Sequence, residues 1–179
     1  FPLERTQYKK LYLNAADTSL QTTPVETESQ ISYDGNTGKV EFDMAFDEDT
    51  ELTGYMYLRL YVEADGHDDM DLFVNIQKAD ASGRWIPWFT LNEPHPGAWG
   101  NMRVSRRELD EKLSTKFCPV LAQKRELKLS KGEIVPVDIA IVPSSRFWHK
   151  GERIRVQIAG RYIREGWFEP LAWDTDNHG

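Results

Sequence analysis

The densest group of chemistry-bearing side chains is the stretch DGHDDMDL, from Asp65 to Leu72. Asp65, Asp68, Asp69 and Asp71 place four carboxylates within seven residues, with His67 among them. Carboxylate oxygens are hard ligands, and a calcium ion takes about six to eight of them, so these four are the metal-ligand candidates of the chain. The spacing departs from an EF-hand loop, because the glycine comes second and no glutamate closes the loop at the required offset. A charged turn is the simpler reading. Asp65-Gly66 opens it, and Asp68 and Asp69 can accept hydrogen bonds from turn amides. Past the turn the sequence alternates. Met70, Leu72, Val74 and Ile76 then share one face of a strand, and Asp71, Phe73, Asn75 and Gln77 share the other. On this reading the aspartates fix the register of a strand, and no cofactor is expected.

Nucleophilic catalysis finds no motif. The sequence holds no G-x-S-x-G elbow, no phosphate-cradling glycine loop and no H-E-x-x-H helix. His67, His95, His149 and His178 fall in turns or at the end of the chain, where a solvated loop residue is the plainer reading than a general base. Cys118 is the single cysteine, so no internal disulfide can form, and a packed thiol is expected. No catalytic residue is therefore assigned.

Aromatic side chains offer a third kind of site. The segment RWIPWFTLNEPHPGAWG carries Trp85, Trp88, Phe89 and Trp99 between prolines and glycines. Exposed rings on a loop can stack on the apolar face of a sugar, or bury a contact between domains. The third reading is that they plug the open end of a sheet sandwich. Tyr55, Tyr57 and Tyr61 alternate opposite the apolar face of their own strand, so they can cover a second layer or dock a neighbour.

The elements that would position these residues have a period of two. Val40, Phe42, Met44 and Phe46 lie on one face of one segment, Met56, Leu58, Leu60 and Val62 on one face of the next. Val135, Val137, Ile139 and Ile141 repeat the pattern, as do Ile154, Val156 and Ile158. Such alternation marks half-buried strands. Shorter strands are expected around Leu11 and Leu13 and around Ile31 and Tyr33. Turn signals separate them at 34–38, 64–69, 80–83, 95–100, 130–133 and 149–152. One helix is expected over 105–113, where Ser105 and Glu108 have capping-box spacing and Leu109 and Leu113 would share a buried face. Residues 144–151 read as a turn or a single helical winding. Many short strands divided by glycine-bearing turns give an all-β fold, a β-sandwich or jelly roll with one or two short helices, and one domain over 1–179.

Composition narrows the partners. The chain is 40% hydrophobic and 12% aromatic, enough for a packed core, and no apolar run is long enough to span a membrane. Its net charge of −7 argues against general binding to nucleic acid or an anionic membrane. Charge is uneven: through Asp71 there are 5 Lys/Arg against 16 Asp/Glu, a net −11, and beyond it the balance is +4. Two solvated faces account for this, as does one face that meets a partner of complementary charge. The first residues lack a signal-peptide pattern and the chain has no N-x-S/T acceptor, which tilts the expectation toward a cytoplasmic setting.

Several phrases together carry a resemblance. DDMDLFV, from Asp68 to Val74, and PSSRFWHKGERIRV, from Pro143 to Val156, are the most specific. With MRVSRRELDEKLST, DTDNHG and the opening FPLERTQYKKLYLNA they resemble the C-terminal domain of the X-Pro dipeptidyl-peptidase and cocaine-esterase-like serine hydrolases, over nearly the whole chain. The resemblance implies a galactose-binding-like jelly roll without catalytic residues. It also implies partners in the same parent chain: an upstream α/β-hydrolase domain carrying a Ser-Asp-His triad, and a helical cap domain. The jelly roll would pack on both and wall the cleft, and pairing of subunits is compatible with it. Family members usually continue past the NHG region with a further strand, so the resemblance implies a piece of a longer hydrolase.

Overall fold

The structure is a computed structural model and describes residues 4–90, 93–95 and 97–163. Among the described residues there are ten strands: β1 (Tyr12–Asn14), β2 (Ser19–Gln21), β3 (Lys39–Ala45), β4 (Thr50–Val62), β5 (Asp71–Ala79), β6 (Trp88–Thr90), β7 (Glu93–His95), β8 (Ala98–Arg103), β9 (Val135–Trp148) and β10 (Arg153–Ala159). A six-stranded sheet has the order β1-β2-β3-β10-β5-β8. The long strands β4 and β9 pair as a second sheet, and β6 and β7 form a small hairpin. Pairing is antiparallel except where β2 meets β3 at Ser19 and Asp43.

The alternation expected from the sequence sets which faces meet. Val156 of β10 stands between Phe42 of β3 and Ile76 of β5, and Ile158 between Val40 and Val74. These side chains share one buried cluster with Leu58 of β4 and Val137, Ile139 and Ile141 of β9. Burial of each such aliphatic side chain contributes about 1.5–3 kcal/mol. The sheets approach closely at Gly100, where a Cβ would lie 2.3 Å from the carbonyl oxygen of Ala140. Only a residue without a side chain lets β8 come against β9 there.

Both faces of β5 are buried, against the expectation that one would be wet. Asn75 and Gln77 are 3% and 0% exposed, as Gln157 on β10 is 0% exposed. Polar atoms at such depth must be bonded, and Asn75 donates to the Ile163 carbonyl while Gln157 donates to Glu41 Oε1.

The helix expected over 105–113 is absent. Among the described residues there is no α-helix, only a 3-10 turn at Val104–Arg106. The groups that would have capped the helix are engaged elsewhere. Ser105 is fully buried and its amide donates to Asp69 Oδ1, while Glu108 accepts from Arg125. Leu109 bridges Leu121, and Leu113 is 65% exposed, so the two leucines share no buried face. Residues 144–148 are also not helical, because β9 runs on to Trp148. Pro143 is accommodated where the β4–β9 register shifts between Gly54 and Met56, a bulge that needs no ladder amide from proline. The stretch around Ile31 and Tyr33 forms no strand, and 95–100 holds the end of β7 and the start of β8. No helix of the described residues is long and apolar enough to cross a membrane.

Candidate functional site

The four aspartates of the acidic stretch do not converge. Asp69 Oδ1 accepts from the Met70 and Ser105 amides, both at 2.9 Å. The Lys128 ammonium lies 3.3 Å from Asp68 and 3.4 Å from Asp69. Asp71 takes both arms of Arg103, at 2.8 and 2.7 Å. Asp65 is exposed. Burial pushes the Asp69 carboxyl up, but the bonds from Ser105 and Met70 and the charge of Lys128 outweigh it and hold the group below its ordinary range. Among the described residues no group of three or more His, Cys, Asp or Glu is placed to hold a metal ion.

The histidines are also dispersed. His67 is exposed, and His95 accepts a bond from the Gly97 amide through Nδ1. His149 lies 3.8 Å from Asp49 at the surface. His178 lies outside the described residues. Cys118 is half-buried in a turn bridged to Thr115.

The aromatic residues separate into three places. Trp88 and Phe89, 47% and 63% exposed, line a shallow open groove with Pro87, Ser145, Arg146 and Phe147. Trp99 points from β8 to the same side as Asn75, on the outer face of the six-stranded sheet. Trp85 is half-buried and bridges Ala79. Pro87, Ser145, Arg146 and Phe147 are groove residues that the sequence reading missed, Phe147 being the aromatic one. After the Pro143 bulge, exposed Ser145 and Phe147 alternate with half-buried Arg146 and buried Trp148, an alternation that the polar-polar-aromatic-aromatic run of 145–148 does not announce.

Arg146 forms the floor of the groove. One guanidinium nitrogen donates to the Ile86 carbonyl at 2.6 Å, and the group sits 6.0 Å from the Trp148 ring centroid. Nη1 is buried without a hydrogen-bond partner. Burial lowers the pKa of this guanidinium, against the opposing charge of Glu152.

The groove continues onto the outer face of the β4–β9 sheet. Register places Glu51 beside Phe147, Thr53 beside Ser145, Tyr57 beside Ala140 and Tyr61 beside Pro136. The Thr53 and Ser145 hydroxyls are 2.7 Å apart. Arg59 and Asp138 neutralise each other through two bonds of 2.6 Å, which also raises the Arg59 pKa. Tyr55, Tyr57 and Tyr61 keep 39%, 37% and 72% of their surface exposed. What results is an aromatic stripe with one self-compensated ion pair and, at its Phe147 end, the Glu51 carboxylate, which accepts from the Thr53 hydroxyl. Among the described residues it brings together no nucleophile and base.

Comparison with known proteins agrees with that chemistry. The family model for the X-Pro dipeptidyl-peptidase C-terminal non-catalytic domain matches residues 1–175. Two crystal structures of a CocE/NonD family hydrolase from Staphylococcus aureus are similar to this chain at 39% sequence identity and a TM-score of 0.88. The likeness covers 96% of this chain and 32% of the hydrolase chain, so the chain spans about a third of the length of these relatives. Among curated proteins no sequence matches. With the match running almost end to end, the chain belongs to the X-Pro dipeptidyl-peptidase C-terminal non-catalytic domain family.

Proposed function

We propose that this chain is the accessory domain of a serine hydrolase that acts on ester or X-Pro peptide bonds. It packs against an α/β-hydrolase domain of the same parent chain and helps shape the catalytic cleft. The observation that carries this reading is the 32% span. A family described as non-catalytic matches here over 1–175, and the relatives described as hydrolases have twice as much chain again outside the matched part. The two sheets around one core, six strands and two, are compatible with a galactose-binding-like jelly roll and one domain over 1–179. In the parent, a triad serine on the other domain would form the acyl-enzyme. The purified 179-residue chain should therefore leave a p-nitrophenyl ester and an X-Pro p-nitroanilide unhydrolysed, while the full reading frame that contains it turns one of them over. Turnover by the 179-residue chain alone defeats the reading.

A free-standing carbohydrate-binding module is the second reading. It is favoured by the exposed Trp88 and Phe89 rings beside the Ser145 hydroxyl and Arg146. Trp85 and Trp99 are not among the residues lining that groove, which leaves the sugar two of the four rings expected from the sequence, joined by Phe147. Tryptophan fluorescence titrated with a glycan panel tests it, and a flat response across the panel removes it.

A further inference from the structure

We propose that the outer face of the β4–β9 sheet, together with the Trp88–Phe89 groove, is the surface on which the hydrolase domain of the parent chain docks. This rests on the function proposed above and names the surface by which it works. The two outer faces of the molecule differ in kind. On the six-stranded sheet, Asp43 is paired with Arg153 and Arg155, and Gln157 with Glu41. Burial pushes the Asp43 carboxyl up, yet the two guanidinium groups hold it below its ordinary range. That face carries its own counter-charges, and its middle is already covered by the chain itself, with Asn75, Gln77 and Gln157 at most 3% exposed.

The β4–β9 face is the reverse. Along β4 the outward residues are Glu51, Thr53, three tyrosines and Arg59; Arg59 is neutralised by Asp138, and the Glu51 carboxylate accepts from the Thr53 hydroxyl. Tyrosine, tryptophan and arginine are the residues that dominate interface cores, while unpaired charges are depleted there. The stripe is long. Thirteen residues of β4 extend about 43 Å at about 3.3 Å each, and Phe147 joins it to the groove under Trp88. Among the described residues each of these two strands pairs along one edge only. The occupant is the remaining chain of the parent, because the solved relatives carry about two-thirds of their length outside the part that matches.

Carbene footprinting of the 179-residue chain and of the full-length protein from the same reading frame tests this. Tyr55, Tyr57, Tyr61 and Phe147 should be labelled in the isolated chain and protected several-fold in the full-length protein, with Trp99 labelled in both. A Tyr57→Lys/Tyr61→Lys variant should leave the melting of the isolated chain unchanged, since both side chains point outward. In the full-length protein it should open the interface to limited proteolysis. Equal labelling of the tyrosines in both proteins, in a full-length enzyme that still turns over substrate, overturns the docking surface and leaves the proposed function standing. Protection of the stripe in the isolated chain, with a doubled mass in solution, assigns it to a second copy and overturns it too. A reading frame without a hydrolase domain removes both proposals.

Discussion

Gly97→Ala should shift the chain from folded to largely unfolded in mild denaturant where the parent sequence is still native. Gly97 joins β7 to β8 at a φ of +123°, a region that side-chain-bearing residues rarely enter. A Cβ there would lie 2.1 Å from the Ile76 carbonyl oxygen, far inside van der Waals contact. Neither problem has an inexpensive escape, because the obstructing atom is backbone in a central strand of the sheet. Ile76 pairs with Ala98 at the next position, so moving it breaks the β5–β8 ladder. Backbone strain costs about 1–3 kcal/mol, and overpacking adds about 1–3 kcal/mol. Together they take a large part of the roughly 5–15 kcal/mol that holds a domain folded. Urea unfolding followed by tryptophan fluorescence measures it. An unchanged midpoint would show that the β7–β8 connection is not built as described.

Asp69→Ala should destabilise the chain by about 3 kcal/mol at neutral pH, since hydrogen bonds to a charged group are worth about 1.5–3 kcal/mol each and two amides lose their acceptor. Asp69 is 6% exposed, and water cannot readily replace it on the Met70 and Ser105 amides. Asp69→Asn keeps an oxygen acceptor but not the charge facing Lys128, so it should cost less. The pH dependence separates the charge from the packing. The folded carboxyl is held below its ordinary range, because hydrogen bonds and Lys128 outweigh burial. An ionised Asp69 therefore favours the fold above the unfolded-state value near about 3.9, and that contribution drains away as pH falls through the lower folded value. The stability gap between the parent sequence and Asp69→Asn should be widest near neutrality and narrow toward pH 3. A gap that stays constant over that range would mean the charge of Asp69 contributes nothing to the fold.

The same residue shows why an acidic stretch can be misjudged from its spacing alone. Four carboxylates in seven positions read as a ligand cluster only if their side chains converge. Alternation along β5 sends Asp71 to one side, where Arg103, 32 residues further along the chain, takes it. Asp69 turns inward to a buried amide, with Lys128 at a distance of 59 residues. The stretch acts as a junction that fastens β5, the Val104–Arg106 turn and the segment around Lys128.

Much of the fold was legible in the sequence because its cause is local. A side-chain period of two, repeated in five segments, dictates strands with one apolar face whatever their neighbours are. Those segments became β3, β4, β5, β9 and β10. Glycine-bearing turns at 80–83 and 149–152 also formed where local chemistry asked for them, the first closed by Asp80 and the second by the Glu152 carboxylate on the His149 amide. The family, too, was legible, since the phrases DDMDLFV and PSSRFWHKGERIRV are runs of sequence.

Tertiary structure decided what depends on partners distant along the chain. A capping box at Ser105 and Glu108 is a local preference worth about 0.5–2 kcal/mol. It lost to a buried carboxylate and an arginine that only the folded chain brings near. Strand β8 hid behind glycine and proline turn signals, and close approach to Ala140 gave Gly100 its place in a strand. The aromatic residues were identifiable by type, but their grouping was not. Sequence placed Trp85, Trp88, Phe89 and Trp99 in one segment, while pairing with β5 turned Trp99 away and a bulge at Pro143 turned Phe147 toward Trp88. Periodicity states which side of a strand a residue occupies. Which other strand shares that side is set by long-range pairing and burial, and these exist only once the sheets have closed on their common core.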